Sequence, residues 1–557
     1  MASWRRSVAG LAAALLAGAC APAPVTPPPG AEPAPAAPAA PAPPAAAQPR
    51  RGGVLQWAPI KGGQPLHPHR GGSTDILRHT GAGYETLLSF QYEPGKDYRE
   101  SMEVIPWLAD SWKQTDDLTY LVSIRRNVKW HDGTDFTAQD VAATFAWIRQ
   151  EKAAASARLA QVETVEVTDP FTVKLTLKKA TPDFLQELAE RNLLIVAKHV
   201  LERGDDLNKV LMGTGPLKMK SFRSGVESIW ERNNEYWQAG KPYLDSMRQV
   251  WGLEASSMIA AFVARENDLL ATVDEAQLEA VRTARPEAGM VTLAAENGFG
   301  LIMKLDRPPF DDVRVRRALH LAVDREAMNQ ALAKGKGMHV TPGVWPGRKG
   351  WAIPQEELRK LPGYRTAKDA DLAEARRLLA EAGYPQGLSF NIIYNGGGTA
   401  APRFAEVIAA QVRSAGLTAN LKPMESGVYN QADLRTGEWE GANLPTLVDS
   451  QFQGLFDRFH SQGPNNKVGL NDPKLDALID ATLTGKSEDA RKAAARQLQE
   501  HFLQNVYYIP GIELVSGALW QPWVRDFTFT PGNAVTPYGS IYVQTWLDVD
   551  SLPAARR

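Results

Sequence analysis

Few side chains in this sequence are spaced for covalent chemistry. The chain has 557 residues and one cysteine, Cys20. It holds neither Gly-x-Ser-x-Gly nor His-Glu-x-x-His, the patterns that expose a serine nucleophile or pair two histidines on zinc. His67-Pro68-His69 brings two imidazoles close together. Pro68 keeps that segment extended, and no nearby Cys or acid completes a metal set. Asn395-Gly396-Gly397-Gly398-Thr399 is a Gly-rich loop between a strand and a helix. Without the Lys-Ser/Thr ending of a phosphate loop it reads as a connector. No catalytic group, metal or cofactor is expected, and the protein is read as a non-enzyme.

The cysteine has a different use. Two arginines, Arg5 and Arg6, precede an apolar stretch from Val8 to Ala19, and small residues lead into Cys20. A charged start, a short apolar run and small residues at a cut site describe an export signal, 1–19. The run is about 12 residues, and a membrane span needs about 20. Leu16-Ala17-Gly18-Ala19-Cys20 resembles the bacterial lipobox, in which the cysteine is acylated and becomes the first mature residue. Ala17 stands where that motif usually has Leu. Ordinary cleavage near Ala19 is the other reading, leaving a soluble protein with a free thiol. Residues 20–51 are almost entirely Ala and Pro, too poor in large apolar groups to form a core. Proline favours the extended polyproline conformation, so some 30 residues would reach roughly 90 Å from an anchor.

Beyond residue 51 the composition is that of a globular protein, and the net charge of the chain is −1. No basic block suggests nucleic acid. About 500 residues exceed what one core serves, so two or three domains are expected. The body has no later run of 18 apolar residues.

The elements read as α/β. Strands are expected at Gly53–Trp57, Tyr120–Val128, on either side of Asp169-Pro170, and at Ser228–Arg232. Thr137 with Asp140 three residues on forms a capping box that opens a helix. Residues 257–264 and 276–283 look helical. A single helix is expected over Val315–Leu332. Apolar spacing predicts helices at Ala370–Ala382, ended by Gly383 and Pro385, and at Arg403–Ala415, ended by Gly416. The strands Leu388–Tyr394 and Leu417–Met424 flank the second of these, a βαβ signature. Helices at Lys474–Ile479 and Asp489–Leu503 and a strand at Val506–Leu514 follow.

Four stretches, taken together, resemble a known family. They are Pro106-Trp107-Leu108-Ala109-Asp110-Ser111-Trp112 with Trp130-His131-Asp132-Gly133; Gly213-Thr214-Gly215-Pro216 with Asn233-Asn234-Glu235-Tyr236-Trp237; Pro308-Pro309-Phe310-Asp311-Asp312-Val313-Arg314 with Ala322-Val323-Asp324-Arg325; and Ala380-Glu381-Ala382-Gly383-Tyr384-Pro385. In order and spacing they are similar to the dipeptide-, oligopeptide- and nickel-binding lipoproteins of ABC importers, extracellular solute-binding protein family 5. Most of these residues read as scaffold: Asp132-Gly133 as a turn, Thr137 as a cap, Asp311-Asp312 as acids before a helix. The chain departs from the family at Glu266-Asn267-Asp268, where Gly is common, and at Lys304-Leu305-Asp306, where Asn is common.

The resemblance implies an α/β, two-lobed periplasmic-binding-protein fold of class II, of the three-domain peptide-binding type. A split domain would take 52–80, 206–300 and 526–550, an inserted domain 81–205, and a second lobe 301–525. It implies capture of a peptide or peptide-like solute between closing lobes, delivery to ABC permease subunits, a monomer, and a periplasmic location beside the membrane through a lipid on Cys20. A metal chelate, opine or other small amphipathic solute is the alternative, and a periplasmic chaperone or sensor component a third. In the peptide-binding relatives an aspartate of the second lobe pairs the solute's α-ammonium. The matching segment here makes Asp449 the candidate, with Trp439, Phe452 and Trp345 as pocket walls. Ser450 replaces the usual proline. Asp449 reads equally as the N-cap of a helix running through Phe452, and the aromatics read as core before they read as walls.

Overall fold

The computed structural model describes residues 48–58, 67–69, 80–91, 102–151, 153–273, 275–344, 347–348, 350–397, 400–445, 452–528 and 538–556. The signal segment, Cys20, Trp345 and Asp449 lie outside the described residues.

Apolar side chains collect into two separate groups of cores. One draws on Leu55 to Ala271 and returns at Ala518 to Leu552, with a satellite around Phe262 and Leu278. The other draws only on residues between Phe299 and Ile512, in two main clusters and a smaller one around Tyr364. Two lobes follow, because each buries its own apolar surface.

The first lobe holds β1 (Val54–Trp57), β2 (Leu88–Phe90), β3 (Val104–Pro106), β4 (Ala109–Asp116), β5 (Thr119–Ile124), β6 (Val162–Asp169), β7 (Thr172–Leu177), β8 (Leu217–Arg223), β9 (Glu227–Arg232), β10 (Ser246–Val250) and β11 (Leu269–Val273). Next comes the long strand β12 (Gly289–Met303). The second lobe adds β13 (Met338–His339), β14 (Leu388–Asn395), β15 (Leu417–Met424) and β16 (Ala442–Asn443). Then β17 (Tyr508–Trp520) runs back, and β18 (Val524–Arg525) and β19 (Trp546–Leu547) close the chain. Eleven strands share one sheet, in the order β15-β14-β16-β12-β17-β11-β1-β10-β9-β8, with β13 also on β17. A second sheet, β4-β5-β7-β6, lies within 81–205. That segment carries its own sheet, yet its apolar side chains merge into the same cluster as those of β1, β10 and β11.

The strands β12 and β17 run antiparallel through both lobes. Val291, Leu293 and Ala518 pack in the first core, and Leu301, Met303 and Ile509 in the second. Between them the pairing shifts register twice, from Ala294 to Gly298 and from Gly298 to Gly300. A bulged pair of strands bends more readily than a regular ladder, so the irregularity sits where a hinge is needed.

Local signals set most boundaries. The helix Ala138–Gln150 opens with Asp140 accepting the Thr137 N–H at 2.8 Å. The hairpin about Asp169-Pro170 is β6–β7. β14 and β15 are parallel and in register from Leu388 opposite Leu417, with the helix Ala400–Val412 between them. The strand expected over Tyr120–Val128 ends at Ile124, because Asn127 turns the chain at φ 63°. The helix expected over Val315–Leu332 is two helices, Val313–Ala322 and Arg325–Ala333. The cause is Asp324, whose carboxylate accepts the Ala327 N–H at 2.9 Å and starts a new helix.

Each lobe is pinned by buried charge. In the second, Arg325 is 1 % exposed and donates to the carbonyls of Pro510, His320, Val323 and Gly363. Arg316 donates to those of Phe310, Asp311, Asn505 and Val506. In the first, Asp268 accepts from Gln56 N–H, Trp523 Nε1 and Arg556, tying the chain's end to β1. Glu85 accepts from Trp107 Nε1 at 2.8 Å, Thr214 Oγ1 at 2.7 Å and the Tyr236 hydroxyl at 2.8 Å. Burial pushes its carboxyl from an ordinary 4.5 up to about 7, while the donors pull it back.

Two outcomes follow. A Cβ at Gly213 would stand 1.8 Å from the Gly83 carbonyl oxygen, backbone against backbone. Gly213→Ala should therefore cost about 3 kcal/mol or more in urea unfolding. For Glu85 the folded carboxyl titrates above its unfolded value, so its neutral form stabilises below pH 4.5 and that gain is lost as pH rises through about 7. Glu85→Gln should flatten this part of the stability–pH curve, the wild type losing on the order of 3 kcal/mol more than the variant across it. Parallel curves would show that Glu85 does not titrate there.

Candidate functional site

The two cores are joined by β12 and β17, and the lobes also meet away from the sheet. Asp183 follows Pro182 at the start of the short helix Phe184–Ala189 in the first lobe. Its carboxylate is in contact with Nη2 of Arg491, 308 residues further along the chain and in the second lobe. Lys179 of the first lobe lies 5.9 Å from the Phe456 ring centre of the second. Arg158, also first lobe, acts on Asp457 through space.

On the second lobe this region is an aromatic and cationic wall. Arg348, 8 % exposed, lies 4.2 Å over Trp351 and 5.1 Å over Phe452. Those two rings pack at 5.2 Å. Arg491 lies 5.3 Å from the Trp351 ring centre and is oriented by donating Nε to the Thr482 carbonyl at 2.7 Å. Burial lowers the pKa of Arg348, with Asp183 opposing it from across the lobes. A guanidinium against an aromatic face keeps a favourable interaction when water is excluded.

Nearby, β16 ends in a closed polar network. The Tyr429 hydroxyl donates to Asn443 Oδ1 at 2.7 Å, Asn443 Nδ2 donates to Asp433 at 2.7 Å, and Arg458 pairs with Asp433 at 3.1 Å. Asp433 is thus neutralised inside its own lobe.

Two of the four candidate residues fall within the described residues. Trp439 is buried in the second-lobe core beside Ile393, Tyr429 and Val468, and Lys304 Nζ lies 4.6 Å over its ring. Lys304 also donates to the Lys467 carbonyl, and burial lowers its pKa. Phe452 is 2 % exposed and lies against Arg348 and Trp351. The helix here spans Gln453–Phe459 with Phe452 at its cap position. Asp449 and Trp345 fall outside the described residues, so only Phe452 and Trp439 are placed, in one apolar cluster. Of the family departures, Asp268 serves the scaffold as above, and Lys304 covers Trp439.

Sequence reasoning missed Arg348, Arg491 and Asp183. Asp183 after Thr181-Pro182 reads as a helix cap, and nothing in the sequence joins it to a residue 308 positions away. His69, whose ring sits 2.7 Å from the Leu194 carbonyl, is pushed down to about 3 by burial. Among the described residues no group of three or more His, Cys, Asp or Glu is placed to hold a metal ion.

The chain matches known proteins along most of its length. The model of the family "Bacterial extracellular solute-binding proteins, family 5 Middle" matches residues 103–457. Heme-binding protein A of Haemophilus influenzae is 26 % identical over 502 residues, covering 82 % of this chain and 86 % of that protein. Di/tripeptide-binding protein 3 of Pseudomonas aeruginosa is 26 % identical over 508 residues, covering 81 % and 91 %. The crystal structure of AppA from Clostridium difficile superposes with TM-score 0.75 at 20 % identity, covering 89 % of this chain and 100 % of that one.

Trp439 can be tested as core without any solute. Trp439→Ala should cost about 3–5 kcal/mol in urea unfolding of the unliganded protein. A variant as stable as the wild type would instead put the ring at a solvent-filled wall.

Proposed function

The chain belongs to the bacterial extracellular solute-binding proteins of family 5, and we propose that it captures a peptide or peptide-like solute between its two lobes and hands it to the permease of an ABC importer. The observation that carries this reading is the pair of strands shared by two independent cores. A body built this way can open and shut about β12 and β17 without unfolding either lobe. Solute favours the shut state by its differential affinity for it. No bond is made or broken.

The further assignments are part of the same proposal. Asp449 is the anchor for the solute's α-ammonium, and Trp345 and Phe452 border it. An unpaired ammonium in a closed crevice costs several kcal/mol, so a carboxylate partner is required. Residues 52–80, 206–300 and 526–550 form one domain, 81–205 the inserted one and 301–525 the second lobe. The protein is a periplasmic monomer held at the membrane by acylated Cys20 on its Ala/Pro tether. A second reading, an amphipathic solute such as a metal chelate, is favoured by the match to heme-binding protein A over 82 % of the chain and by the aromatic-cationic wall around Arg348.

A thermal-shift screen separates the two. A bound solute at 100 times its Kd should stabilise by about 2.7 kcal/mol. Stabilisation by di- and tripeptides, and not by hemin or Fe(III)-EDTA, supports the peptide reading; the reverse supports the chelate. Asp449→Ala should abolish the peptide response, and an unchanged response removes Asp449 from the site. A mature N-terminus at Cys20 without acyl mass would contradict the anchor.

A further inference from the structure

We propose that Asp183 is a positioning residue for lobe closure: it forgoes capping its own helix and clasps Arg491 of the opposite lobe, so that the shut state depends on this pair. The proposal rests on the closing-lobe reading above.

Asp183 occupies the cap position of Phe184–Ala189, where aspartate ordinarily accepts from the first backbone N–H groups. Here it makes no cap hydrogen bond. Its carboxylate is 19 % exposed and meets an Arg491 side chain that is 7 % exposed. The partner is prepared in advance. Arg491 is held by the Thr482 carbonyl and by the face of Trp351, both within its own lobe. Opening the crevice therefore leaves Arg491 in place and returns only Asp183 to water and to its helix. The pair contributes to the shut state and little to either lobe alone.

The contact also reaches the solute site. Trp351, against Arg491, packs on Phe452, and Phe452 leads directly into Gln453–Phe459. That helix carries Phe456 and Asp457, the residues facing Lys179 and Arg158 across the lobes. One short helix thus links the proposed wall to the opposite lobe. The energy involved is bounded. An ion pair of this exposure gains less than a fully buried one, because water screens it.

Hydrogen–deuterium exchange of the unliganded full-length protein tests the clasp without knowing the solute. Asp183→Ala should speed exchange at Gln453–Phe459 and around Arg491 about tenfold, with the urea midpoint of global unfolding unchanged. Asp183→Glu should restore part of the protection. Asp183 acting only on its own helix would move exchange at Phe184–Ala189 and leave the second lobe untouched, which would overturn the proposal. Unchanged exchange throughout would overturn it equally. Because no solute is added, failure of the thermal-shift screen and failure of the clasp are read independently.

Discussion

The whole arrangement depends on one constraint: two apolar cores must each be complete while sharing β12 and β17. A single core divided by a crevice would expose apolar surface whenever the crevice opened, at about 25 cal/mol per Å². Separate cores avoid that cost. Their boundary along the shared strands falls between Leu293 and Phe299 on one and between Leu514 and Ala518 on the other. The first register shift, from Ala294 to Gly298, lies in that interval, and the second ends at Gly300, just past it. Bending can then concentrate in the few residues between the two shifts.

A lobe that moves as a body must also settle its buried polar groups internally. Arg325 and Arg316 satisfy eight backbone carbonyls of the second lobe, drawn from loops and from β17. Asp268 and Glu85 do the reverse in the first lobe, gathering donors from distant segments. Breaking a buried charge out of such a set costs about 3–5 kcal/mol. These groups therefore hold the lobes rigid, and flexibility is left to the strands between them. The motifs that carry the family resemblance are largely these fasteners: Thr214 and Tyr236 hold Glu85, and Arg325 is itself the hub.

This explains what the sequence could and could not tell. Asp140, Asp312 and Gly416 act within three or four residues of themselves, through capping bonds or a left-handed turn at φ 87°, so the helices they bound were legible. Asp324 was equally local, and its cap was overlooked because apolar periodicity ran on past it. The two-lobed layout came from the resemblance. The composition of the crevice was not legible, since it is set by contacts such as Asp183 with Arg491 across 308 residues. Trp439 is the clearest case. An aromatic after Gly437-Glu438 suits a wall or a core, and its burial beneath Lys304, which approaches its ring from β12's end, is signalled by no local spacing.

The strength of contacts between the lobes is limited from both sides. Moving an equilibrium from mostly open to mostly shut takes about 5.5 kcal/mol of differential solute affinity. Contacts worth as much as that on their own would shut the empty protein and hide the site from solute. Contacts worth nothing would make the solute supply all of the closing energy. A screened ion pair, a distant cation–π approach at 5.9 Å and the through-space attractions of Arg158 for Asp457 and of Asp183 for Arg348 fall between these limits. They bias the lobes toward each other and leave the decision to whatever occupies the crevice. The crossing residues of the first lobe, Arg158, Lys179 and Asp183, meet complementary partners in Asp457, Phe456 and Arg491. The partners lie on two second-lobe helices, Gln453–Phe459 and Glu488–Asn505, so the lobes are aligned at more than one point when they meet.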